Sequence, residues 1–215
     1  MRKIAIGLLI ILLASCGTSY STKTDTFADV TAIPCGFPAK ASFSISSVQQ
    51  DNPLFVKEVT HKIATFLQQQ GYIVCNEQAD FHLIFDCKMG SEKVIINTNH
   101  YVPGKTEDRK GSIKNGNQKV KYKESAAVSG EWKTVPEQRT HYTKMLSLRV
   151  TNDKEEIWNG SATSVGERGD LREAVDYLLY SIMNYFGSNT NKQLAKRVNA
   201  KDLEERLNRL TSSSP

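Results

Sequence analysis

The chain has 215 residues, of which 39% are hydrophobic and 24% are charged. These fractions are ordinary for a globular protein, so they exclude a disordered chain, a collagen and a membrane protein with many spans. The formal net charge of +5 is too small to indicate a nucleic-acid-binding protein. Four cysteines are too few for a scaffold built from disulfides. The length predicts one domain with additional segments.

The N-terminus has the pattern of a secretory signal. Arg2 and Lys3 give it a positively charged start, and an apolar run follows at residues 4–13. This run is about half of the ~20 residues that a membrane-spanning helix needs. We therefore interpret residues 1–15 as a cleaved signal peptide, with a single membrane anchor as the less favoured alternative.

The end of this signal resembles a bacterial lipobox. Leu13, Ala14 and Ser15 directly precede Cys16, and in lipoproteins with this pattern the cysteine becomes the first mature residue and carries the lipid. Stable anchoring needs more than one acyl chain. Gly17 rather than Asp follows the cysteine, which implies the outer membrane in organisms that use an Asp retention rule. We expect acylation of Cys16 and anchoring in the outer membrane, facing the periplasm, with the inner membrane as the alternative.

The first part of the mature chain predicts a tether, a strand and a helix. Residues 16–37 are rich in Ser, Thr and Asp without a period, which indicates a flexible tether. Residues 41–48 alternate between apolar and polar side chains and predict a strand. Asp51 and Asn52 offer a capping side chain to a helix of residues 53–70, whose apolar residues recur at steps of three and four.

Beyond this helix the pattern weakens along the chain. Gly71 is the residue expected just after the helix. Residues 72–75 and 81–89 predict strands, which residues 92–97 could extend. Residues 98–141 contain four glycines, two prolines and many lysines. This composition predicts a long solvated excursion from the core, with an extended hairpin as one arrangement.

Regular patterns return in the second half and complete the fold prediction. Residues 142–150 and 157–165 predict two strands joined at an Asn-Asp turn. Together with the helices, they predict an α+β fold in which two helices pack on one face of a largely antiparallel sheet. We assign residues 38–187 to this single domain.

A second helix is predicted between Asp170 and Gly187. Asp170 and Glu173 have the spacing of a capping box, and apolar residues follow at helical spacing. Residues 188–215 form a polar tail that contains a leucine stripe at helical spacing: Leu203, Leu207 and Leu210. The stripe predicts a short amphipathic helix, either marginal by itself or packed in an oligomer or against a partner.

Six short segments carry a family resemblance: Asn-Pro-Leu at 52–54, Gln-Gly-Tyr at 70–72, Ala-Asp-Phe at 79–81, Tyr-Thr-Lys-Met-Leu at 142–146, Ile-Trp-Asn-Gly-Ser-Ala at 157–162 and Phe-Gly at 186–187. Over residues 38–187 the chain resembles Gram-negative envelope lipoproteins whose shared domain is called domain of unknown function 4136. Members of this group have a polar middle segment and no established catalytic residues. The resemblance implies a structural or interaction role at the cell envelope.

The sequence has no pattern of a catalytic or cofactor site. It contains neither HExxH nor GxSxG. The Gly-Lys-Thr at 104–106 lacks the earlier glycine of a P-loop, because Asn99 stands at that position. The histidines are scattered at His61, His82, His100 and His141, whereas a metal site requires three or four ligands. We therefore expect no enzyme activity, no cofactor and no metal.

Two groups of residues have more than one interpretation. One is the alternating set Lys119, Lys121 and Lys123, which a strand would place on one face. A solvated face that protects a sheet edge is favoured over contact with an anionic surface such as lipid phosphates or cell-wall carboxylates. The other is the aromatic set Trp158, Tyr177, Tyr180 and Tyr185. A place in the core is favoured for these residues over a ligand groove.

The remaining cysteines suggest one disulfide. After acylation of Cys16, three cysteines remain in an oxidising compartment. If the first two strands run parallel across the helix, the third strand, which contains Cys87, runs opposite to the first and ends near Cys35. We therefore predict a Cys35–Cys87 disulfide and a free Cys75.

Together these features favour a non-enzymatic lipoprotein that is anchored through Cys16 and displays its domain in the periplasm. Its expected role is that of a scaffold or accessory subunit of the cell envelope. The expected partners are the membrane, through the lipid, and an envelope protein or a second copy of the chain, but not nucleic acid. The alternative is a binding module for a small amphiphile, lipid or glycan held between the sheet and the helices.

Overall fold

The computed structural model describes residues 19–116, 118–127, 129–153 and 155–199. The predicted signal peptide, Cys16 and the predicted leucine-stripe helix all lie outside these residues. The chain divides into two compact units. Residues 92–140 form the smaller one, which we call the hairpin unit, and the residues on either side form the core unit.

The described residues form an α+β fold that is dominated by strands, which confirms the predicted class. The strands are β1 (Ser19–Ala28), β2 (Ser42–Ser47), β3 (Ile73–Val74), β4 (Phe81–Val102), β5 (Thr106–Asn115), β6 (Gln118–Ala127), β7 (Glu131–Asn152), β8 (Glu155–Gly166) and β9 (Leu194–Asn199). The helices are α1 (Pro53–Gln69) and α2 (Leu171–Met183). Strands β1 and β9 lie outside the predicted domain of residues 38–187 and yet belong to the same sheet as its other strands.

Seven strands form one mixed sheet in the order β3-β2-β4-β7-β8-β1-β9. Strand β2 runs parallel to both β3 and β4, whereas β8 is antiparallel to β7 and β1. The expected largely antiparallel sheet is thus corrected at the β3-β2-β4 side. The Asp80 carboxylate accepts hydrogen bonds from the Ser42 backbone N–H (2.8 Å) and hydroxyl (2.7 Å). These bonds hold the chain that precedes β4 at the start of β2, so β4 sets out in the same direction as β2.

Strand β1 occupies ten residues of the segment 16–37 that the sequence predicts as a flexible tether. It pairs with β9 from Ser19 onward and with β8 from Lys23 onward. Its inward positions are buried threonines: Thr22, Thr24 and Thr26. The Thr22 and Ser181 hydroxyls lie 3.0 Å apart in a buried hydrogen bond to α2. Threonine favours strands, but a search for alternating apolar residues does not detect a strand whose buried face is made of hydroxyls.

Both predicted helices are confirmed. Asn52 is the N-cap of α1, since its side-chain oxygen accepts from the Phe55 backbone N–H at 3.1 Å. The buried face of α1 repeats at every fourth position: Phe55, Val59, Ile63 and Leu67. Gly71 follows the helix at φ +86°, a left-handed conformation that glycine adopts without steric cost.

Helix α2 begins after the predicted N-cap, Asp170, but Glu173 of the predicted capping box binds the sheet. Asp170 accepts from the backbone N–H groups of Arg172 (2.9 Å) and Glu173 (3.2 Å). The Glu173 carboxylate accepts from the Tyr20 hydroxyl of β1, so it ties the helix to the sheet. A second link joins the two helices, where the Lys62 ammonium of α1 lies 2.8 Å from the Asp176 carboxylate of α2.

One hydrophobic core is shared by the sheet and both helices. Its most crowded part is a cluster of aromatic rings in which Phe43 lies at 0% exposure. The ring centroids of Phe37, Tyr72, Phe81 and Phe186 lie 5.2–5.6 Å from that of Phe43. Trp158 of β8 lies against Phe186 at 4.9 Å, and its indole N–H donates to the Ser188 carbonyl at 3.1 Å.

The predicted polar tail, residues 188–215, contains a strand, β9, that its composition did not indicate. Strand β9 pairs with the outer side of β1 and buries Val198. None of the described helices combines the length and the apolar character needed to cross a membrane.

The hairpin unit contains the far ends of β4 and β7 together with β5 and β6. The Thr98 hydroxyl donates to the Val135 carbonyl (3.2 Å), and the Tyr101 ring lies 5.4 Å from that of Trp132. As the residue number rises in β4 it falls in β7, which is the pattern of an antiparallel pair. Strands β5 and β6 pair antiparallel from Thr106–Ala127 to Asn115–Gln118. The excursion predicted at residues 98–141 is thus largely regular strand.

Candidate functional site

The strongest candidate site is a row of lysines on the β5–β6 hairpin. Residues that face each other across an antiparallel pair lie on the same side of the sheet, and sides alternate along each strand. The register therefore places five lysines on one side: Lys110, Lys114, Lys119, Lys121 and Lys123. We call this side the lysine face. The sequence indicated the three lysines of β6, and the register adds two from β5.

The positive charge of the lysine face is only partly neutralised. The Lys123 ammonium lies 2.8 Å from the Asp108 carboxylate, and hydrogen bonds from Lys123 and Ser125 lower the pKa of Asp108 below its usual value. Across the described part of the hairpin, the other four lysines have no carboxylate within ion-pair distance. Lys110 stands opposite Lys123, and Lys114 stands opposite Lys119. Like charges at directly opposite positions destabilise a strand pair, so folding stability does not account for this arrangement.

A shallow depression of about 430 Å³ lies at the lysine face. It is lined by Lys110, Lys119, Lys121 and Lys123 together with Ser112, Gly111 and Tyr122. Four lysines and one serine thus line a shallow concave surface. This set of groups can bind an anionic ligand, because the lysines supply charge and the hydroxyl can donate a hydrogen bond.

The opposite side of the same hairpin is apolar at its centre. The Tyr122 ring occupies the space above Gly111, where an added Cβ would lie 2.3 Å from the ring. Ile113 is 62% exposed on this side, and Tyr122 itself is 46% exposed. The hairpin is therefore amphipathic, with its lysines and its apolar side chains on opposite sides.

A second exposed feature of the hairpin unit is the Tyr101–Trp132 ring pair, with 54% of Tyr101 and 72% of Trp132 exposed to solvent. The Tyr101 ring lies above Gly130, in the same way that Tyr122 lies above Gly111. Exposed aromatic pairs are frequent anchors in binding surfaces. The pair has no signal in the sequence, because Tyr101 and Trp132 become neighbours only through the pairing of β4 with β7.

The core unit has two depressions around the loop that precedes β2. Their volumes are about 380 Å³ and 480 Å³, and both are bordered by Cys35 and Phe37. The smaller one also contacts Tyr72 and Phe186. Both volumes lie in the range of small-molecule sites. These depressions are places where a small amphiphile could bind, and neither is lined by Trp158 or by Tyr177, which belonged to the less favoured ligand groove.

The aromatic residues singled out from the sequence belong mainly to the core. Trp158 and Tyr177 are 1% and 2% exposed, which agrees with the favoured interpretation. The Gly-Lys-Thr at 104–106 lies at the start of β5 rather than between a strand and a helix. Within the described ranges, no group of three or more His, Cys, Asp and Glu side chains is arranged to hold a metal ion.

The geometric basis of the predicted Cys35–Cys87 disulfide is wrong. Because β4 runs parallel to β2, and Phe85 pairs with Ser47, Cys87 lies beyond the end of β2 while Cys35 precedes its start. The three described cysteines are free thiols. Cys35 is exposed and Cys87 is buried. Burial, with a contribution from the neighbouring Asp86 carboxylate, raises the pKa of the Cys87 thiol to about 12.

We expect these thiols to differ in reactivity. Because the thiolate is the reactive form, iodoacetamide at pH 8 should label Cys35 in the folded protein and should label Cys87 only after denaturation. Peptide mass mapping before and after guanidinium treatment measures both. Equal labelling of Cys87 in the two states, or a Cys35–Cys87 peptide in a non-reduced digest, would contradict this arrangement.

A buried polar network lies between β1, β7 and the start of α2. The Lys144 side chain is 5% exposed, and burial lowers the pKa of its ammonium. The hydrogen bond from Tyr20 to Glu173 raises the pKa of Tyr20 to about 12, and the Tyr20 ring stacks on Tyr177 at 4.3 Å. Perturbed pKa values occur both at functional sites and in structural networks of charges. Here the Glu173 carboxylate of α2 binds the Tyr20 hydroxyl of β1, and this hydrogen bond fastens the helix to the sheet.

Comparison with known proteins gives weak structural likenesses only. No protein-family model and no curated protein matches the chain. A PDZ domain protein from Parabacteroides distasonis is 12% identical, with a TM-score of 0.43 over 92% of this chain and 43% of that protein. Two PelC dodecamer structures from Paraburkholderia phytofirmans are 10% and 9% identical, with TM-scores of 0.41 and 0.40. They are matched over 78% and 79% of this chain and 98% and 99% of theirs. Likenesses of this strength assign no function.

Proposed function

We propose that the protein is a lipoprotein of the cell envelope, acylated at Cys16, that acts without catalysis as a scaffold or accessory subunit. The observation that carries this proposal is the hairpin unit, whose regular strands present lysines and aromatic rings to solvent. Exposed apolar and aromatic groups on rigid elements are typical of interaction surfaces. The lipobox and the resemblance to the domain 4136 lipoproteins support a location on the outer membrane, facing the periplasm.

The start of β1 gives the proposed anchor a physical consequence. Ser19, the first residue of β1, is paired with Asn199 and lies three positions after Cys16. An extended chain spans at most ~3.5 Å per residue, so Ser19 lies within about 10 Å of an acylated Cys16. Strand β1 lies between β8 and β9 in the sheet. The acylated chain would therefore hold its core unit directly at the membrane surface, without a long tether.

Replacement of the acylated residue tests the proposal. In cells fed an alkyne fatty acid, wild type should take up the label and sediment with membranes, whereas Cys16→Ser should be unlabelled. Cys35→Ser is the matched control, and it should behave as wild type. Cross-linking before fractionation should give a discrete protein adduct that decreases in Cys16→Ser. An unlabelled wild-type protein would contradict the anchor, and a labelled protein without any adduct would contradict the scaffold role.

The two depressions around Cys35 favour a second candidate function, the binding of a small amphiphile. The lining of the smaller one combines Phe37, Tyr72 and Phe186 with Ser188 and Asn189, a mixture that suits a ligand with both apolar and polar parts. Native mass spectrometry of the full-length Cys16→Ser chain distinguishes this function. A retained small-molecule mass that disappears on Phe186→Ala would support it, and a bare protein mass would favour the scaffold.

A further inference from the structure

We propose that the lysine face binds a linear anionic polysaccharide, whose carboxylate or phosphate groups follow the β5–β6 hairpin. This inference deepens the proposed function, since it names the chemistry of one partner of an envelope scaffold. It rests on three observations: the spacing of the lysines, the small number of carboxylate partners among the described residues and the concave shape of the face.

The spacing of the lysines matches a linear ligand. Along β6, Lys119, Lys121 and Lys123 occupy every second position, which corresponds to about 7 Å between neighbours. Across the pair, Lys114 stands opposite Lys119, at a Cβ separation of about 5 Å. From the Lys114–Lys119 pair to the Lys110–Lys123 pair the face is about 14 Å long. It is thus a long and narrow strip of positive charge, suited to a chain that carries repeated negative groups.

Among the described residues, four of the five lysines have no carboxylate partner, which leaves positive charge that an anionic ligand can neutralise. Only Lys123 has a described carboxylate partner, Asp108. The opposed pairs Lys110–Lys123 and Lys114–Lys119 repel each other in the unbound hairpin. An anionic chain lying along the strip removes this repulsion. Replacing these lysines by neutral residues should therefore weaken binding and leave the hairpin as stable as wild type or more stable.

The shape of the site favours a polymer over a bilayer. The lysines border a depression of about 430 Å³, which the single groups of a flexible chain can enter and a flat headgroup layer cannot fill. The apolar side chains Ile113 and Tyr122 lie on the opposite side of the hairpin, so a bilayer that contacted the lysines would leave them in water.

Binding of labelled alginate, a polyuronate, by fluorescence anisotropy tests this inference. The protein is the full chain, both as wild type in non-ionic detergent and as Cys16→Ser, so that a failure of acylation does not affect the result. We expect binding at low salt that weakens as salt rises, because exposed charges are screened. Neutral dextran of the same length should not bind.

Two charge-matched variants locate the site. The first replaces Lys110, Lys114, Lys119 and Lys121 by glutamine and keeps the Lys123–Asp108 pair; the second replaces the exposed Lys40, Lys57, Lys105 and Lys192. We expect the first to weaken alginate binding by about tenfold or more and the second by less than about threefold, since specific contacts exceed the effect of net charge. Thermal unfolding of the first variant should be unchanged or shifted upward.

Several outcomes would overturn the inference. Equal losses of alginate affinity in the two variants would mean that binding depends only on net charge. Absence of alginate binding at low salt would mean that the lysine face is not a binding site. Tighter binding of the same lysines to anionic phospholipid vesicles than to alginate would make the bilayer the ligand. A lowered melting temperature in the first variant would show that the lysines support folding.

Discussion

Phe43→Ala should lower the free energy of unfolding by about 3–5 kcal/mol, the range for removal of a fully buried phenylalanine. Phe43 is at 0% exposure, and four aromatic rings surround it. Alanine leaves a cavity that rigid rings cannot fill by small movements, so the loss includes contact energy as well as hydrophobic transfer. Since whole domains are stable by about 5–15 kcal/mol, this one change removes a large fraction of the stability.

Chemical denaturation with urea measures this effect, and Phe27→Ala is its matched control. Phe27 belongs to β1 and is 55% exposed, so the same deletion should cost less than about 1 kcal/mol. The midpoint should fall for Phe43→Ala at an unchanged slope. Similar midpoints for the two variants would mean that the aromatic cluster does not support the core unit.

The parts of the fold that the sequence predicted are those in which apolar side chains alternate or recur. Phe43 and Ile45 revealed β2, and the four-residue repeat with its Asn52 cap revealed α1. In these elements, the local preference of the chain and its burial in the core agree, so the pattern of side chains is sufficient to locate them.

The missed parts have other physical causes. Strand β1 buries threonines rather than large apolar residues, and the hydroxyls of two of them bind partners distant in sequence: Thr22 binds Ser181 and Thr26 binds Ser188. The direction of β4 is set by its pairing with β2, at whose start the Asp80 carboxylate binds Ser42 across a gap of 38 positions. Neither feature has a periodic signal. For this reason the sequence predicted a tether where β1 lies and an antiparallel β4 where the strand is parallel to β2. The predicted Cys35–Cys87 disulfide depended on that antiparallel direction.

The candidate site was predictable only in part. The alternation of Lys119, Lys121 and Lys123 within one strand is visible in the sequence. The addition of Lys110 and Lys114 requires the register of β5 against β6. That register is hard to infer because both sides of the hairpin are largely exposed, and a strand without a buried side has no hydrophobic pattern to fix its pairing.

Strands β4 and β7 connect folding and proposed function within single elements. Each has 22 residues, whereas most strands in globular proteins have about 3–10. In β4, buried Leu83, Phe85 and Cys87 alternate with less buried residues, and from Lys88 onward no residue is buried. One strand thus contributes to the core with its first part and continues as an exposed surface. This exposed part adds little to the hydrophobic core. It belongs to the hairpin unit, for which an interaction role is proposed.

Gly160→Val should lower the free energy of unfolding by about 3 kcal/mol, the upper end of the usual effect of overpacking. Gly160 lies in the middle of β8, opposite Thr26 of β1 and Leu148 of β7. A Cβ added there would lie 2.7 Å from both a methyl group of Ile182 and the Trp158 ring. The Trp-x-Gly pattern of this strand therefore has a steric reason, since the glycine leaves space for the indole ring and for the approach of α2.

Gly90→Val separates this crowding from a general effect of valine in a strand. Gly90 lies in β4, and a Cβ added there has no neighbouring atom within 4 Å. Because valine favours strands more than glycine does, this control should be neutral or slightly stabilising. Thermal unfolding followed by Trp fluorescence should show a lower midpoint for Gly160→Val and no loss for Gly90→Val. A tolerated Gly160→Val would mean that α2 can move away from β8 at little cost, and the helix would then be held mainly by its Tyr20–Glu173 and Lys62–Asp176 links rather than by packing.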